Sequence, residues 1–149
     1  MKLFKLALVA IPFVLFSCSK GGDTGGTTPG PVPPPPVVIT ESDIAFKIEI
    51  DAKEVDYTNP IAALAATQKV NINVTSTLPK DGVTIDVVTK KNKDNTEVSK
   101  SSASSTSGAT NEASITSLSP GVLCTVTVTV TSKTKSSNTS SKTFQIAQK

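Results

Sequence analysis

A protein reaction needs a nucleophile, a titratable pair or a set of metal ligands, and candidates for each are few in this chain. There are two cysteines, Cys18 and Cys124, and no histidine. A cysteine attacks as its thiolate, which needs a neighbouring base or cation. General acid–base work needs groups tuned by burial and by each other. The acids Asp43, Glu49, Asp51, Asp86 and Glu97 instead fall on outward strand positions or in turns. A zinc or iron centre needs clustered Cys and His, and there is no such cluster. Asp81, Asp94 and Asn95 could offer oxygens to calcium, but they lack the alternating acids of a calcium loop, and turn propensity explains them better. No glycine loop would cradle phosphate, and no serine sits in a nucleophile elbow. The residues therefore predict no enzyme, no catalytic residues, no cofactor and no metal site.

Cys18 has a different context. Lys2 and Lys5 form a positive start, and Leu6–Phe16 is apolar apart from Pro12. That run is shorter than the roughly 20 apolar residues of a spanning helix, and it reads as a targeting segment over residues 1–17. It ends in Leu15-Phe16-Ser17-Cys18. This run resembles the bacterial lipobox, with Phe16 bulkier than the usual occupant. The resemblance implies cleavage before Cys18, a thioether-linked lipid on its sulfur and an acyl chain on its new amino group. Each buried methylene adds about 0.8 kcal/mol, so two or three chains anchor stably. Ser19, rather than aspartate, implies delivery to the outer membrane, on either its periplasmic or its extracellular face. The membrane is thus one expected partner.

If Cys18 carries lipid, Cys124 has no disulfide partner. Cys124 lies in Leu118–Thr131, Leu-Ser-Pro-Gly-Val-Leu-Cys-Thr-Val-Thr-Val-Thr-Val-Thr. From Cys124 onward an apolar residue alternates with threonine, which predicts a strand with Cys124, Val126, Val128 and Val130 buried. Cys124 then acts as a small core hydrophobe. Pro120-Gly121 predicts a turn ahead of it. The stretch resembles the corner that opens the sixth strand of fibronectin type III domains, with Leu118, Pro120, Gly121, Val126 and Val128 in register. Cys124 stands where that family has a tyrosine, and the family's tryptophan is missing. The resemblance implies an immunoglobulin-like sandwich of two sheets.

The rest of the chain fits that architecture. Residues 18–37 are the cysteine and a Gly/Pro-rich tether; the glycines are flexible, and Pro31–Pro36 predicts a polyproline II spacer. The folded domain is expected over 38–149. Ile44–Asp51, Lys69–Thr75 and Val83–Thr89 alternate as strands, the last two read as an antiparallel hairpin across Leu78–Gly82. Asn59-Pro60 before Ile-Ala-Ala-Leu-Ala-Ala predicts a turn or two of helix. Thr96–Ser99 reads as a short edge strand. Ser99–Gly108 reads as a mobile loop or weakly patterned edge strand, and Ala113–Leu118 leads into the corner. Lys133–Ser141 reads as a polar hairpin loop, and Thr143–Ala147 as the last strand. The sum is an all-β sandwich of about seven strands.

Charge and aromatic content narrow the function. Removing Lys2 and Lys5 leaves 13 of the 15 lysines against 12 acids, a net charge of +1. Nucleic-acid binding would want a basic patch with arginine and stacking aromatics, and neither occurs. Aromatics make up 4% of the chain, and Tyr57 is its one tyrosine. That counts against polysaccharide binding and leaves polar, loop-mediated recognition open. The expectation is a non-enzymatic lipid-anchored adhesion, scaffold or accessory-binding module, with an unidentified protein or glycan partner met by the loops Asn92–Thr96 and Lys133–Ser140. The alternatives are a glycan-binding accessory lipoprotein of a polysaccharide-uptake system and a structural envelope protein.

Overall fold

A computed structural model describes residues 40–105 and 108–149. The expected targeting segment, Cys18 and the expected tether lie outside the described residues. Val38–Lys149 groups as one compact unit. Its strands are β1 (Phe46–Ile50), β2 (Lys53–Glu54), β3 (Ile61–Ala63), β4 (Gln68–Val74), β5 (Val83–Lys91), β6 (Glu97–Ser105), β7 (Thr110–Ile115), β8 (Leu123–Ser132) and β9 (Thr139–Gln148). They form a four-stranded sheet in the order β2-β1-β4-β7 and a five-stranded sheet in the order β3-β9-β8-β5-β6. The protein is an all-β, immunoglobulin-like sandwich with no helix among the described residues.

Strand β8 is central, between β5 and β9 in antiparallel register. Its alternation does what the period of two predicts: Cys124, Val126, Val128 and Val130 are buried. They meet Phe46, Ile48, Val70 and Ile72 in one continuous core that also holds Ile85, Ile115, Phe144 and Ile146. Each fully buried Val, Ile or Phe contributes about 1.5–3 kcal/mol. The threonines of β8 line the outer face, where Thr129 pairs with Ser141 at 2.8 Å and Thr131 with Thr139 at 3.0 Å. Such cross-strand hydroxyl pairs fix register on a face without apolar packing.

The turns follow their residues. Val122 N–H donates to the Ser119 carbonyl at 3.1 Å, and Gly121 has φ +71°. With Pro120 ahead of it, this is a type II turn, whose third residue needs positive φ. Leu118 is buried beside it. Gly82 N–H closes the Pro79 turn at 2.9 Å. Asp51 and Ala52 form the two-residue β1–β2 loop with φ of 52° and 61°. Positive φ at both positions matches the right-handed twist of a hairpin.

Four expectations are corrected. Strands β4 and β5 are not a hairpin: β4 pairs with β1 and β7, while β5 pairs with β6 and β8. Both bury one apolar face, but from opposite sheets. Periodicity reports which face is buried and not whether the partner lies beside or across. The expected helix after Pro60 is strand β3, parallel to the end of β9 through Ile61↔Ile146 and Ala63↔Gln148. A run this short is a marginal helix, whereas the β9 edge offers backbone partners, and proline suits the start of an edge strand. Strand β9 begins at Thr139, earlier than Thr143, which shortens the loop to 133–138. The strand count among the described residues is nine rather than about seven, the additions being the short β2 and β3. The Ser-rich stretch takes the second of its two readings: β6 runs through Ser105 as an edge strand on β5.

Candidate functional site

The chemistry-bearing residues are dispersed. Cys124 is 1% exposed on β8, and burial pushes its thiol up, against the opposing charge of Lys91. That is the setting of an inert structural cysteine. Asp81 and Asp94 stand at opposite ends of β5, Asp94 in local turn bonding and Asp81 bonded across to the 133–138 loop. Asp94 Oδ1 accepts from Thr96 N–H at 2.9 Å, and the Thr96 bonds hold its carboxyl below the usual range. Asp81 Oδ2 accepts from Thr134 Oγ1 at 3.3 Å. Among the described residues no three His, Cys, Asp or Glu side chains cluster as a metal site. The loops 92–96 and 133–138 also lie at opposite ends, so one ligand would meet one of them.

The 133–138 loop is tied to the chain's entry. Ser132 Oγ donates to Glu41 Oε1 at 3.1 Å, and Asn138 Nδ2 donates to Glu41 Oε2 at 3.0 Å. Asn138 Oδ1 accepts from Ile44 N–H at 3.2 Å. The Asn138 bond, with help from Ser132, holds the Glu41 carboxyl below its ordinary range despite some opposing desolvation. These bonds use the polar groups that the loop would otherwise present.

An assembly that gathers uncharged polar groups around an aromatic ring lies on the edge of β9. From Thr139 to Gln145 this edge has no strand partner among the described residues. The connection between β2 and β3 passes over it as a strap, residues 56–60. Asp56 makes the strap rigid. Its Oδ1 accepts from Thr58 N–H at 2.8 Å and from Thr58 Oγ1 at 2.6 Å, and its Oδ2 accepts from Asn59 Nδ2 at 2.8 Å. Bonds from Asn59 and then Thr58 hold the Asp56 carboxyl far below the usual carboxylate range. Aspartate two residues before threonine is an Asx-turn signal, and here it competes successfully with helix capping by Asn59.

Tyr57, at the crest of the strap, is 41% exposed. Beneath it lies Lys142, whose phase on β9 matches the buried Phe144 and Ile146. Its Nζ stands 5.1 Å from the Tyr57 ring centroid and 5.6 Å from that of Phe46. A cation within about 6 Å of a ring face is attracted by the ring quadrupole. An inward-pointing lysine on an unpaired edge also blocks addition of another strand. Between strap and sheet is an open cleft of about 310 Å³, lined by Tyr57, Thr58, Asn59, Thr125, Thr143 and Gln145 together with Phe144. The strap ends at the Asn59-Pro60 pair that the sequence suggested as a helix start, and the cleft was not foreseen. Two signals in the chain point to it: the Asp-x-Thr spacing, and a lysine in phase with core residues.

Comparisons with protein-family models, with curated proteins and with solved structures found no match. The class defined by fold and site is an immunoglobulin-like sandwich with a polar cleft at a strapped edge.

Proposed function

We propose that the protein is a non-enzymatic, lipid-anchored component of a bacterial outer membrane, acting as an adhesion, scaffold or accessory-binding module. The observation that carries this reading is the order of parts. A lipobox-like Leu15–Cys18 is followed by a Gly/Pro-rich tether, which leads directly into a compact unit beginning at Val38. Acyl chains on Cys18 would hold the chain at the lipid surface, and the proline run would keep the sandwich clear of it. Cys124 supports the assignment of the anchor to Cys18, since its thiol is enclosed in the core. Within sandwich families, the Leu118-Ser-Pro120-Gly121 corner supports kinship with fibronectin type III domains. The buried faces are apolar, which leaves recognition to loops and edges on a rigid scaffold.

The test is mass spectrometry of the mature N-terminus, joined to surface proteolysis of intact cells. The expected result is a diacylglyceryl-modified, N-acylated Cys18, and release of the protein from the membrane fraction in Cys18→Ser. Mature protein recovered in soluble form with a free thiol at position 18 would defeat the anchor. Hydrolysis of an ester, glycan or peptide by the purified chain would defeat the non-enzymatic reading.

A further inference from the structure

We infer that the cleft between the strap and the outer face of β8–β9 is a binding subsite for one ring of an uncharged saccharide. The inference deepens the accessory-binding reading above and rests on it for its biological setting.

The ligand class follows from the lining. Among the described residues, no partner is found for the Tyr57 hydroxyl, the Thr143 hydroxyl or the Gln145 amide, and nothing donates to Asn59 Oδ1. These groups supply hydrogen-bond donors and acceptors together. An anion would ask for donors and positive charge, but no cationic side chain lines the cleft, and Lys142 Nζ is held against two rings. A cation would ask for carboxylate oxygens, and those of Asp56 already take three bonds from the strap itself. An apolar ligand would strip water from hydroxyls and amides without replacing their bonds. Vicinal hydroxyls on a ring satisfy the mixed set, and the ring's C–H face can lie on the exposed part of Tyr57.

Size and rigidity agree. A cleft of about 310 Å³ is at the lower end of small-molecule sites, the scale of a single sugar ring. The strap is held by Asp56 from one side and by the Lys142 stack from below, so little ordering remains when a ligand arrives. Thr125 is also fixed, since its Oγ1 donates to Asn92 Oδ1 at 2.7 Å. The cleft opens onto the outer threonine face of β8, so further rings of an oligosaccharide could extend over hydroxyls rather than apolar surface.

The chain provides its own probe. Tyr57 is the single tyrosine and there is no tryptophan, so tyrosine emission reports on this cleft alone. The full chain, in a zwitterionic sugar-free detergent, is titrated with gluco-, manno-, galacto- and xylotetraose and with oligogalacturonate as an anionic counterpart. The expected result is a saturable change in emission with at least one neutral tetraose. Thr143→Ala/Gln145→Ala should weaken it at least about tenfold while matching the parent in ligand-free emission and thermal midpoint. Ser102→Ala, on the far strand of the same sheet, should leave it unchanged. Tyr57→Ala, followed by calorimetry, should lose binding, which checks the platform without relying on emission. No saturable change with any neutral tetraose would overturn the inference. So would saturation by oligogalacturonate alone, or parental binding in the double variant. Acylated Cys18 with no response to sugar sinks the subsite and leaves the anchored module standing; sugar binding by an unacylated soluble chain does the reverse.

Discussion

Replacing Lys142 by glutamine tests how the strapped edge is built. Lys142 lies in the phase of buried residues yet carries a charge, with its Nζ 5.1 Å from the Tyr57 ring and 5.6 Å from the Phe46 ring. Cation–π contacts contribute about 0.5–1 kcal/mol at exposed sites and about 2 kcal/mol when desolvated. Two rings around a half-buried ammonium therefore place the loss in Lys142→Gln at about 1–2 kcal/mol. For a domain of this size each kcal/mol shifts the thermal midpoint by roughly 4 °C, so a fall of roughly 4–8 °C is expected. Lys142→Arg, which keeps the cation, should stay within about 0.5 kcal/mol of the parent by the same contacts. Urea unfolding followed by Tyr57 emission measures both, because the strap reports its own detachment. Lys142→Val adds a second readout: without an inward charge the unpaired β9 edge should self-associate, visible as concentration-dependent sedimentation. Glutamine as stable as lysine, with arginine destabilising, would show that the stem alone matters and would refute the stack.

Ala52→Gly should stabilise the protein by about 0.5–1 kcal/mol, because the left-handed φ of 61° disfavours an L-side chain by about 1–2 kcal/mol and glycine gives back about 0.5–1 kcal/mol in unfolded-chain entropy. Denaturant midpoints check it; a destabilised variant would contradict the hairpin geometry. Thr89 is fully buried and its Oγ1 has no partner among the described residues, so Thr89→Val should raise stability by about 1–3 kcal/mol, again read from the denaturant midpoint. Asp56 has a lowered folded pKa. Its contribution is therefore complete above the ordinary pKa near 3.8 and is lost only as pH falls through the lower folded value. Tyr57 emission should stay flat down to pH 4 and change in stronger acid in the parent, and Asp56→Ala should abolish that acid step. Cys124 should resist alkylation at pH 8 in the folded chain, since burial raises its pKa, and react at the rate of opening once denaturant is added.

The chain's local chemistry was sufficient for its strongly alternating strands and its proline-glycine turns. Alternation alone marks Val126, Val128 and Val130 as buried and Thr125, Thr127 and Thr129 as outward, because strand side chains repeat every two residues whatever the fold. Pro120-Gly121 and Pro79–Gly82 specify their turns because φ is a property of the residue itself. Cys124 reads as a core residue for the same reason. What needed the tertiary structure is which elements are neighbours. Strands β4 and β5 each announce a buried face, yet their shared core lies between two sheets, and period two is blind to that difference. Strands β3 and β6 have little apolar pattern because their stability comes from backbone bonds with β9 and β5, and for β3 that partner is distant in the chain. The cleft belongs to this second kind. Asp56 and Lys142 are 86 positions apart in sequence numbering, and only the passage of the strap across the edge of β9 brings Tyr57, the lysine and the outer hydroxyls into one place.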